Sequence, residues 1–88
     1  MPRRLISPVA DFEASVTALG SPAASQLVQV LLHRIAANPE RAPRAAGMNV
    51  RVLHTAGFDG YPPLLLYYTF DERAVYPLYV EVSDPALP

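Results

Sequence analysis

Four side chains in the second half of the chain, Arg51, Tyr67, Tyr79 and Glu81, are of the types that meet a phosphodiester. An arginine neutralises phosphate oxygens, a carboxylate takes a proton as general base, and a tyrosine stacks on a base or hydrogen-bonds a scissile phosphate. Arg41 and Arg44 lie in the loop ERAPRAAG, where they can grip nucleic acid or an acidic partner segment. Each has a plainer reading beside it. Arg51 can form a structural ion pair with Glu81, the tyrosines can be packing residues with a polar tip, and the loop arginines can be merely solvated. His54 reads as a hydrogen-bonded core histidine, and His33 as a solvent-facing residue near a helix end.

These residues must be positioned by a small fold. A chain of 88 residues has room for one domain, taken as residues 1–88, since two cores of half that size would bury too little. Hydrophobic residues make up 51% and charged residues 17%, more apolar surface than so small a domain hides, so a partner or a homodimer is expected. Cysteine is absent, which removes disulfides, thiolate catalysis and cysteine-based zinc sites. The opening MPRRLISPVADF lacks the apolar stretch of a signal peptide, and no run approaches the ~20 residues of a membrane span. The expected compartment is the cytoplasm. A formal net charge of -1 gives nucleic acid no general attraction, so any such contact must come from a local arginine cluster.

Arg3 to Ile6 read as a short strand. Ser7 followed by Pro8 reads as an N-cap with proline at the first helical position. Val9, Phe12, Val16 and Leu19 then share one helix face, with Asp11 and Glu13 suiting the dipole and Gly20 ending the helix. Ser21 and Pro22 repeat the start signal, and Ala24, Leu27, Val28, Leu31 and Ile35 mark a second apolar face that stops at Asn38 and Pro39. Glu40 to Gly47 is a loop.

From Met48 the period changes to two. NVRVLHT is a strand, with Val50, Val52 and His54 expected on the core side and Arg51, Leu53 and Thr55 opposite. AGFDGYPP is an irregular connection, and LLLYYTF and AVYPLYVEV are two strands joined by a turn at Asp71, Glu72 and Arg73. Parity assigns Leu64, Leu66, Tyr68, Phe70, Tyr76, Leu78, Val80 and Val82 to the core. The other face then carries Leu65, Tyr67, Thr69, Val75, Pro77, Tyr79 and Glu81. Pro77 requires that the last strand be an edge there or be bulged. The expected class is α+β, a helical hairpin packed on a small, mainly antiparallel sheet.

Short strand, helical hairpin and three-stranded meander, together with Ser7, Pro8, Ala10 and Asp11 in LISPVADF, resemble the RelE/ParE superfamily of bacterial toxins. The Asn38-Pro39 step closing the second helix is similar, as are Arg51 among β-branched residues and the acidic turn between LLLYYTFDE and AVYPLYVEV. The resemblance implies a toxin neutralised by a cognate antitoxin that wraps around it. Such a toxin acts by cutting mRNA on the ribosome or, in the ParE branch, by poisoning DNA gyrase. In a ribonuclease of this kind Arg51 would hold the phosphate and Tyr79 or Glu81 would handle the proton. Arg41, Arg44 and Tyr67 would bind substrate, with no metal or other cofactor. Where ribonuclease members carry basic residues near the C-terminal strand, VEVSDPALP has Glu81, Ser83 and Asp84. That departure favours a second expectation, a non-catalytic toxin binding gyrase or another protein target. A third is a homodimeric interaction module without toxicity.

Overall fold

The computed structural model describes residues 5–20, 22–44, 49–55 and 63–82. Expectations for Arg3, Arg4, the Ser21 cap, the Gly57 to Pro62 connection, Ser83 and Asp84 lie outside the described residues. The elements run β1 (Leu5–Ile6), α1 (Ala10–Leu19), α2 (Pro22–Ala37), β2 (Arg51–His54), β3 (Leu64–Phe70) and β4 (Ala74–Val82). The class is α+β, with two helices and a four-stranded sheet in the order β1-β4-β3-β2 among the described residues. β1 runs parallel to β4, and the other pairings are antiparallel. Among the described residues no helix is long and apolar enough to cross a membrane.

The chain enters α1 later than Ser7 and Pro8 suggest. Helix starts at Ala10, and Val9 holds the cap position in an extended conformation without a side-chain cap bond. The reason is a parallel ladder that outruns β1. The amides of Leu5, Ser7 and Val9 donate in turn to the carbonyls of Arg73, Val75 and Pro77 at 3.0, 2.9 and 3.1 Å. Pro8 falls between those donors, on the side of the chain turned away from β4, so its missing N–H costs the ladder nothing. At the other end of α1, Gly20 takes φ 67° and donates its amide to the Thr17 carbonyl at 3.0 Å, a left-handed close that favours glycine.

The core forms where the helices meet one face of the sheet. Phe12 of α1 and Val28, Leu31, Leu32 and Ile35 of α2 pack with Leu64, Leu66, Tyr68, Val75 and Val80. Val16, Leu19 and Leu27 are partly buried against this cluster, as their spacing predicts. Leu32 and Ala36 are buried beyond the expected stripe. They widen it because α2 contacts both α1 and the sheet.

β4 carries a bulge. Tyr67 pairs with Tyr79 but Tyr68 pairs with Pro77, leaving Leu78 as the extra residue. Parity therefore reverses along the strand. Val75 and Pro77 are buried, contrary to the outward placement expected of them, and Tyr76 sits opposite Thr69 on the other face instead of in the core. Leu78, also expected inside, is only half buried. Beyond the bulge the expected alternation holds for Val80, which is buried, and for Tyr79 and Glu81, which lie outside, but Val82, expected in the core, is 38% exposed at the strand end. Pro77 is thus in an inner, bulged strand and not at an edge. Its carbonyl faces β1, so its missing donor falls on the same side.

The bulge also turns the Val80 amide toward α1, past the end of the β1 ladder. Ser15 receives it. The buried Ser15 hydroxyl accepts from Val80 N at 3.1 Å and donates to the Phe12 carbonyl at 2.7 Å, so it is satisfied both ways. Ser15→Ala is expected to lower stability by about 1–3 kcal/mol, because it leaves a buried amide without a partner. Chemical denaturation would check this, and Ser15→Thr, which keeps the hydroxyl, should avoid much of the loss.

Candidate functional site

The sheet face away from the helices is the first candidate. Tyr67 and Tyr79 are paired across β3 and β4, with ring centroids 6.5 Å apart and planes at 48°. Glu81 pairs with Leu65 in the adjacent row, and its Oε2 accepts the Tyr67 hydroxyl at 2.7 Å. Tyr79 is the open member of the group, 47% exposed. The hydrogen bond to Glu81 holds the Tyr67 phenol above its ordinary value, with burial and the Glu81 charge adding to the effect. Tyr67 is therefore a donor that keeps its proton. Glu81 is occupied by that donor and is not a free base.

The sign of this coupling gives a test. A raised tyrosine contributes stability that is present below pH 10.0 and lost as pH rises through the folded value. Glu81→Gln removes the charge and weakens the acceptor, so the Tyr67 midpoint should fall toward 10.0. Carbon-13 NMR of the Tyr67 ring would read it, and an unmoved midpoint would show that the carboxylate is not the cause.

Arg51 does not join this group. It pairs with Tyr68, and Leu53 pairs with Leu66, so these two residues of β2 lie on the helix side. The expected parity of β2 is therefore reversed, with Val52 opposite Tyr67 and the exposed His54 opposite Leu65. A four-residue edge strand at the margin of the helical layer is half buried on both sides, and its alternation carries a weak signal. The Arg51 side chain runs outward and donates from Nη1 to the carbonyls of Ala42 at 2.8 Å and Glu40 at 3.2 Å. Its guanidinium also lies 5.7 Å from the centre of the Phe70 ring. Arginine here closes a loop end, with both carbonyls held by the one nitrogen.

No family model matches the chain, and no curated protein matches it.

Tyr68 works with Arg51. Its hydroxyl donates to the Pro39 carbonyl at 2.6 Å, and burial raises its pKa. The segment after α2 is thus tied down at the carbonyls of residues 39, 40 and 42, and it covers the edge of β2 through Val52 N to Pro43 O at 3.0 Å. Arg44 bridges to Arg51 at this edge and is exposed. Arg41 lies elsewhere, on a groove between the end of α2 and β2 that it shares with Arg34 and His54.

The six residues singled out by type therefore occupy three places. Tyr67, Tyr79 and Glu81 gather on the outer face, Arg51 and Arg44 close the β2 edge, and Arg41 faces the groove. The reading by type missed His54 on the outer face and Arg34 beside Arg41. Nothing in the spacing of Arg34 and Arg41 announces their meeting, which depends on the turn at Asn38 and Pro39. The acidic turn is also structural. Asp71 accepts from the Tyr76 hydroxyl at 2.7 Å and from the amides of Arg73 and Ala74, which together hold its carboxyl below the usual range.

Proposed function

We propose that this chain is a RelE/ParE-like toxin of the cytoplasm that acts by binding a protein target, without cutting RNA. The observation that carries this reading is the engagement of Arg51 with the Glu40 and Ala42 carbonyls, on the side of β2 away from the tyrosines. Tyr67, Tyr79 and Glu81 are left with a carboxylate among them and none of the arginines expected to hold a phosphate. Cleavage of RNA requires positive charge at the phosphate oxygens. A tyrosine pair with one open ring is instead suited to a protein interface, where tyrosine supplies large area at small entropic cost. The element order and sheet class support the resemblance, and the partners it implies are a cognate antitoxin and a target such as gyrase.

The test is inducible expression in a bacterial host, followed by growth and by mapping of mRNA ends. Growth should arrest with messages intact. Tyr79→Ala should relieve the arrest, since loss of an anchoring aromatic weakens an interface by about 2 kcal/mol, while leaving thermal stability close to wild type. Uninhibited growth would remove the toxin reading in favour of a homodimeric module.

One observation favours the endoribonuclease reading. His54 shares the outer face with Glu81, two strand spacings away across Leu65, or roughly 9–10 Å between backbones. New mRNA ends that disappear with His54→Ala would establish that reading in place of the first.

A further inference from the structure

Arg34 and Arg41 have no part in the reading proposed above. Among the described residues neither guanidinium has a carboxylate partner, yet both line one groove of about 790 Å³ with His54. The buried part of that lining is apolar, including Ile35 and Ala42, with Leu53 half buried beside them. Among the described residues no acidic side chain lines it. We propose that this groove binds an acidic segment of a partner protein, one carrying an apolar side chain for the floor and carboxylates for the two arginines.

The groove extends along α2. A shallower hollow of about 420 Å³, lined by Val30, His33, Arg34 and Ala37, shares Arg34 and Ala37 with it. Those four positions recur at spacings of three and four, so they form one stripe of the helix. Val30 is 52% exposed at its far end. The strip therefore alternates apolar contact and positive charge over more than one helical turn, complementary to an amphipathic acidic segment.

A helix C-terminus carries partial negative charge that would oppose an acidic ligand. That partial charge is about half a unit against the two full charges of Arg34 and Arg41, and the carbonyls just beyond the helix are already taken, that of Pro39 by Tyr68 and those of Glu40 and Ala42 by Arg51. Single-stranded nucleic acid suits the groove less well. It needs rings on which bases stack and denser positive charge, whereas the Tyr68 ring is fully buried and the whole chain is at -1.

This inference stands on the groove and not on the toxin reading, and growth arrest is no part of its test. The experiment is a titration of the nitrogen-15-labelled protein with a short Glu- and Leu-rich peptide, followed by backbone amide shifts. Shifts should concentrate on residues 33–44 and 51–54. They should vanish when the peptide carries Gln for Glu, and Arg34→Glu with Arg41→Glu should weaken binding at least about tenfold, or ~1.4 kcal/mol. A Lys- and Leu-rich peptide should bind that double variant in the same groove, which separates charge pairing from damage to the fold. Absence of shifts, shifts indifferent to the charge reversal, or the same shifts produced by single-stranded RNA at lower concentration would each overturn the proposal.

Discussion

Tyr68→Ala is expected to destabilise the protein by about 3–5 kcal/mol, the usual cost of truncating a buried aromatic side chain. A chain of this size has on the order of 4–13 kcal/mol in total, so the variant should be unfolded or close to it at physiological temperature. Tyr68 is fully buried in the core cluster, with its ring centroid 6.4 Å from that of Phe70. Tyr68→Phe separates the hydroxyl from the ring. It keeps the packing but strands the buried Pro39 carbonyl, for about 1–3 kcal/mol. Urea titration of the two variants would give both numbers. A Tyr68→Phe protein as stable as wild type would mean that the turn after α2 is held without that hydrogen bond.

Arg51→Ala is expected to lower stability by about 2 kcal/mol, through loss of charged hydrogen bonds to two backbone carbonyls and of stacking on Phe70. The figure sits toward the low end because the Glu40 bond is exposed while the Ala42 bond is half buried. Arg51→Lys should recover part of the loss, since an ammonium can donate to both carbonyls as the single Nη1 does but cannot lay a planar group over the Phe70 ring. Under the toxin proposal, any loss of growth arrest in Arg51→Ala should track the fraction unfolded. A folded, fully stable Arg51→Ala protein without toxicity would return Arg51 to the functional surface and overturn the structural role.

Long periodic segments were the readable part of this fold. The faces of α1 and α2 followed from spacing except at Val9, which lies before α1 and is exposed, and β3 and β4 have the bounds that their apolar runs suggest. The misreadings share a cause, which is that local pattern was overruled by neighbours distant in sequence. Ser7 and Pro8 have helix-start chemistry, but the amides of Ser7 and Val9 are taken by β4. Parity put Val75 and Pro77 outside, but one extra residue at Leu78 shifted the phase. In β2, valines at 50 and 52 suggested a core side that the pairing of Leu53 with Leu66 reversed. The site was legible in part. Tyr67, Tyr79 and Glu81 meet where alternation placed them, because β3 is regular and the bulge precedes Tyr79. Arg51 was misplaced by one residue of register, enough to send it to the opposite face.

The position of β4 sets the order of assembly. It is the last of the described strands in sequence, yet it lies between β1 and β3, and its partners include Leu5 and Ser15. Contacts that span most of the chain are closed late and slowly, because the loop entropy falls due before any reward. While the protein is being synthesised, α1 and α2 exist with their apolar faces bare and no sheet to receive them. Until the segment that carries β4 has emerged, both helices therefore lack the strand they pack on, and β4 is the element that lets the two layers close.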